Sequence, residues 1–184
     1  MADLSLNRKL WDSAGKAGAV LGAVSIAYLV ITTFMAGKGA VLGGIGGAVL
    51  ALLLWGVKFA ACIYLMKFFM LRYCAGDSEA TSRETFRFGR RTALLSALLY
   101  SAFVLAFYTL IAPDALASNL DMVISSYSSM LDSNALNQLE QIQNDLPRWM
   151  FFSNLIYCYL FGTLVSFFLS RNIPSSDPFD NPNR

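Results

Sequence analysis

The sequence predicts an all-α integral membrane protein: a four-helix bundle, both termini cytoplasmic, with a two-helix amphipathic segment outside between the third and fourth spans. Three observations predict it. Hydrophobic residues make up 56% of the 184 and charged residues 14%, against roughly 25% charged in ordinary soluble domains. Mean hydropathy is +0.51. The apolar residues gather in four runs, each near the roughly 20 residues a helix needs to cross a hydrocarbon core of about 30 Å. The basic residues lie almost entirely to one side of those runs.

The N-terminal stretch MADLSLNRKLWDSAGKAG leads into an apolar run too long for the core of a cleavable signal peptide. It is read as the approach to a retained first span, about 17–35. The second span covers about 40–66, its helix continuing to Tyr73, and the short AGKG between them makes a tight antiparallel hairpin. The third span covers about 92–112 and the fourth about 149–170. Residues 1–173 form a single transmembrane domain, and the Pro- and Asp-rich tail 174–184 is expected to be disordered.

Eleven basic residues precede span one, lie between spans two and three or at their ends, or follow span four; among them are Arg8, Lys16, Lys67, Arg72 and Arg171. Only Lys38 and Arg148 lie in the other two connections. Positive charge marks the cytoplasmic side. Both termini are therefore expected inside and residues 113–148 outside.

Lys58 interrupts the run LLLWGVKFAAC. Counted from Lys38 and Lys67, it sits about 8 Å from the midplane at about 1.5 Å per residue, within reach of a snorkelling stem. No span contains Asp or Glu, so no buried carboxylate can pair with it. Snorkelling is the favoured reading. A functional intramembrane charge is the alternative, with Tyr64, Tyr100 and Tyr157 as possible oxygen partners.

Small residues recur at helical spacing: Ala14, Gly18 and Gly22 in span one, then Gly39, Gly43, Gly47 and Ala51 in span two. Such stripes let helices approach closely. In an antiparallel hairpin these two sit at different depths, so at least one is expected to meet another span or another copy. The glycine-rich GKGAVLGGIGG is no phosphate loop, because it lies outside and runs straight into a span.

Between spans two and three, Thr81 and Glu84 fit a capping box, which starts a helix near Ser82 that runs on into span three. Arg83, Arg87, Arg90 and Arg91 share one face of it. They are candidate contacts for a lipid phosphate or an acidic partner; ordinary positive-inside anchoring is the simpler account. In the outer segment Leu116, Leu120, Val123, Ile124, Tyr127, Met130 and Leu131 repeat at three and four, and Leu136, Leu139, Ile142 and Leu146 do so again. Before Arg148 this segment has acids and no base, unlike helices that lie on anionic lipid. Leu120, Val123, Ile124 and Tyr127 are a candidate partner surface, unless they simply cover the chain's own bundle.

Histidine is absent, which removes the commonest general base and metal ligand. Cys62, Cys74 and Cys158 fit no metal spacing and are expected to stay free. No nucleophile–base pair or nucleotide loop is visible, so no cofactor or metal is expected, and a net charge of +2 implies no nucleic-acid partner.

The segments KFFMLRY, ETFRFGRRTALL, YTLIAPDALASNLD and NLIYCYLFGTLVSFFLSR, with the acidic outer stretch, resemble the family called domain of unknown function 4199, integral membrane proteins of Bacteroidota. The likeness covers most of the chain. It departs at the polar turn, where DSEATSRETF replaces the family's glycine-rich GGYISF-like sequence. The resemblance implies four spans and an inner-membrane location and carries over no catalytic residues. It also implies some link to membrane glycosyltransferases, beside which some members are encoded. The leading expectation is a non-catalytic accessory or structural subunit of an inner-membrane assembly, contacting lipids and a membrane partner or a second copy. The alternative is a small oligomeric channel or transporter. A membrane enzyme acting on lipid phosphates, through Asp77, Glu79 or Glu84, ranks third.

Overall fold

The computed structural model describes residues 2–37, 45–76, 81–114, 116–118, 121, 125 and 145–173. They contain four long helices and no strand. Helix α1 is Ala2–Gly37, α2 is Ile45–Gly76, α3 is Ser82–Ala106 and α4 is Leu146–Asn172. Each holds an apolar stretch long enough to cross a membrane: Leu10–Met35, Val49–Ala75, Ser82–Ile111 (including the turn that follows α3) and Leu146–Asn172. The fold is a four-helix membrane bundle, and its helices run past the apolar spans read from the sequence. Charged residues end an apolar run without ending a helix, because Lys, Arg and Glu are good helix formers. Residues 38–44 and the tail 174–184 lie outside the described residues, as does most of the outer segment.

The start of α3 follows its sequence signal. Thr81 is extended, its hydroxyl accepts from the Glu84 amide at 3.4 Å, and Glu84 Oε2 accepts from the Thr81 amide at 3.2 Å. The box pairs the Thr81 amide and gives the Glu84 amide a second acceptor beside the Thr81 carbonyl. Thr81→Ala is expected to destabilise the bundle by about 1 kcal/mol, seen as a small fall in Tm of the detergent-solubilised protein. A change within error would show that tertiary contacts alone hold this end.

The far end of α3 widens into a π turn, Phe107–Ile111, closed by the Ala112 amide donating to the Phe107 carbonyl at 2.8 Å. Pro113 explains the stop. It has no amide to donate, and it pushes the residue before it out of the α region. Ala112 accordingly sits at φ −139°, ψ 59°.

Packing is centred on α3. Its Gly89 lies against Ser166 of α4, and Gly162 of α4 lies against Ala93 of α3; a Cβ on Gly162 would stand 2.6 Å from that of Ala93. On its other side α3 meets α1, where a Cβ on Gly18 would come within 2.9 Å of Leu95 Cβ and one on Gly22 within 2.7 Å of Leu99 Cδ2. The small stripe of span one thus meets span three, one of the expected outcomes. Gly43 lies outside the described residues, and α2 includes Gly47, whose surroundings do too.

Helix α2 is held differently. It reaches the others through large side chains: Met66 and Met70 in the buried core, Tyr73 stacked on Phe88 at 4.6 Å, and Phe59 edge-on to Phe161 at 4.9 Å. Long side chains keep backbones apart where glycine brings them together. The core of Leu10, Ala14, Leu21, Met70, Phe88 and Ile173 therefore joins all four helices at one end, where α1 starts and α4 finishes. Two polar contacts tie that end further. The Ser82 hydroxyl donates to the Ser170 carbonyl at 2.9 Å, and the Cys74 thiol meets the Thr85 hydroxyl at 3.1 Å.

Candidate functional site

Further along the bundle, the gap between α2 and the other helices opens into a cavity of about 70 Å³. Lys58, Cys62 and Met66 follow one another at a spacing of four on α2 and all line it. Across from them stand Ser25 of α1, Ser96 and Tyr100 of α3, and Tyr157, Cys158 and Gly162 of α4. One cation thus faces hydroxyls and thiols within an otherwise apolar wall.

The Lys58 head turns into the bundle, toward rings of two other helices. Its Nζ lies 4.9 Å from the centroid of the Tyr28 ring and 5.0 Å from that of Tyr100. A helical Cα–Cβ bond tilts toward the helix N-terminus, and the Lys58 stem follows it to the rings of Tyr28 and Tyr100.

Two ring faces replace the missing carboxylate. A cation–π contact is worth about 0.5–2 kcal/mol, and a lysine at the centre of a spanning helix costs about 2.5–3.5 kcal/mol on insertion scales. Two such contacts offset much of that cost without a counter-ion.

The arginine face divides. Arg83, Arg87 and Arg90 are exposed on α3, whereas Arg91 is half-buried, with its guanidinium 4.8 Å from the centroid of the Trp11 ring of α1. Three of the four remain a surface group, and the fourth fastens α1 to α3. The candidate partner residues Leu120, Val123, Ile124 and Tyr127 lie outside the described residues. Of that segment, positions 113, 114, 116–118, 121 and 125 are helical, and Leu146, read as the end of the second amphipathic helix, is the first residue of α4.

Sequence reasoning passed over two features. One is Tyr28, whose role needs the α1–α2 approach and has no local signature. The other is the α3–α4 seam of Gly89, Ala93, Gly162 and Ser166. Its signal was present: small residues recur every fourth position from Gly89 to Ser101 and from Gly162 to Ser170.

No curated protein and no solved structure matches the chain. One family model does, that of a protein family of unknown function, DUF4199, over residues 16–171. The matched stretch opens at Lys16 before the first apolar run, closes at Arg171 after the fourth, and takes in all four lines of the cavity wall. By that match the chain belongs to the DUF4199 family.

Proposed function

We propose that this chain is a non-catalytic accessory or structural subunit of a bacterial inner-membrane assembly, with both termini cytoplasmic. The observation that supports the reading is the uneven hold on α2. Glycine and alanine seams join α1, α3 and α4, while α2 is fastened mainly at its Met66–Tyr73 end. Its other half exposes Leu52, Leu53, Trp55 and Val57. An exposed apolar flank carrying an aromatic anchor suits docking of a further transmembrane helix, where association depends on packing. A link to a lipid-carrier or glycosyltransferase pathway belongs to the same proposal. A mild-detergent pull-down of the tagged chain from its native membrane, read by mass spectrometry, is expected to recover a stoichiometric membrane partner that Leu53→Arg and Val57→Arg release. Recovery of the chain as a lone homo-oligomer rejects the subunit reading.

One specific observation favours a second reading, a small oligomeric channel or transporter. An ionisable group beside a cavity within a membrane-spanning helix is the usual mark of an ion or substrate path. Proteoliposomes carrying the purified chain would then pass a small ion, and Lys58→Leu would change that flux while inserting normally.

A further inference from the structure

We infer that the cavity beside Lys58 is a binding site for one small monovalent anion, a halide or a short carboxylate. The inference goes beyond the subunit reading and does not depend on it.

Charge comes first. The apolar runs 17–35, 40–66, 92–112 and 149–170 contain no Asp or Glu, and among the described residues no carboxylate lines the cavity. The rings of Tyr28 and Tyr100 stabilise the ammonium but carry no net charge, so the site keeps a charge of +1. The other polar groups of the wall are the hydroxyls of Ser25, Ser96, Tyr100 and Tyr157 and the thiols of Cys62 and Cys158. Each of these can donate a hydrogen bond. A lone cation in this wall repels a second cation and attracts an anion, most strongly where the surroundings are apolar.

Approach and size narrow the class. The faces of Tyr28 and Tyr100 carry the negative lobes of their quadrupoles, so an anion reaches Nζ from the cavity side, clear of the rings. The space of about 70 Å³ compares with roughly 10–15 Å³ for one water on the same measure. That is room for about five water-sized groups, enough for chloride or formate with several waters and too small for a sugar acid. The apolar part of the wall, which includes Leu21, Phe59 and Val165, favours an anion that gives up its hydration easily.

The test uses the whole chain purified in a non-ionic detergent, with sodium gluconate replaced stepwise by sodium chloride or sodium formate at constant ionic strength. Tm is expected to rise with the logarithm of anion concentration, by about 3–6 °C once the anion stands near ten times its Kd. A rise with chloride alone identifies a halide site, one with formate alone a carboxylate site, and one with both a site for either. Propionate is expected to act more weakly than formate, because it fills the cavity. Lys58→Met removes the charge at similar size and is expected to abolish the rise. Cys158→Leu keeps the ammonium but fills space beside it and is expected to weaken the rise, which decides the matter if Lys58→Met does not fold. A wild-type Tm indifferent to every replacement overturns the proposal. So does an equal rise in Lys58→Met, or a response that ignores anion size.

Discussion

Gly162→Ala is expected to destabilise the bundle by about 1–3 kcal/mol, although alanine is the better helix former. The added methyl would begin 2.6 Å from Ala93 Cβ and 3.4 Å from Ala93 Cα. Carbon atoms sit comfortably at about 3.5–4.0 Å, so α3 and α4 would have to part by roughly 1 Å along the seam. Inside a membrane that separation is serious, because packing, hydrogen bonds and lipid entropy hold helices together there. Neighbouring contacts would open with it. Among them is the approach of Gly89 to Ser166, where a Cβ on Gly89 would stand 2.7 Å from the Ser166 hydroxyl oxygen.

Gly15 and Gly56 are the controls, since a Cβ at either meets nothing within 4 Å. Alanine there should leave stability unchanged or raise it by about 0.5–1 kcal/mol. Adding Ala93→Gly to Gly162→Ala moves the methyl across the seam and is expected to restore part of the loss, less the cost of a new helical glycine. Thermal unfolding of the detergent-solubilised variants measures all four. Equal behaviour at Gly15 and Gly162, or no recovery in the double variant, would show that the close approach does not govern stability.

An impermeant thiol reagent applied outside intact spheroplasts is expected to modify a single cysteine at position 129 fully and one at position 79 not at all. The native Cys62, Cys74 and Cys158 would first be replaced, Cys74 by serine to keep a polar partner for Thr85, 3.1 Å away. The expectation rests on eleven basic residues against two, a bias that sets orientation in short-looped membrane proteins. The fold gives the bias a physical form. Exposed Arg72, Arg83, Arg87, Arg90 and Arg171 gather at the end where α2 finishes, α3 starts and α4 finishes. Carrying that end across the bilayer would mean desolvating all of them. Label at 79 and none at 129 would invert the orientation, and with it the side from which a partner approaches.

The sequence alone determined the class and the helices. Four apolar runs of crossing length are a matter of composition and backbone satisfaction, because a span in hydrocarbon must pair its own amides. The capping box at Thr81 and the break at Pro113 are equally local. They act within one turn, so they were legible before any fold was known. The small stripe at Gly18 and Gly22 was legible as a stripe, but its partner was not. Which helix meets a small face depends on how four rods pack, and that choice fell to α3. The α3–α4 seam was written at the same spacing, yet nothing local ranks one stripe above another.

Lys58 shows the limit most clearly. Counting along α2 gives a depth along one helix, and the count placed the lysine near a span boundary with solvent in reach. Only the tertiary structure decided that its stem turns into the bundle, that Tyr28 and Tyr100 come from two other helices to meet its charge, and that a cavity opens beside it. The physical reason is that a cation–π contact and a cavity belong to the space between helices. That space is set by where glycine lets backbones close and where methionine, phenylalanine and lysine hold them apart.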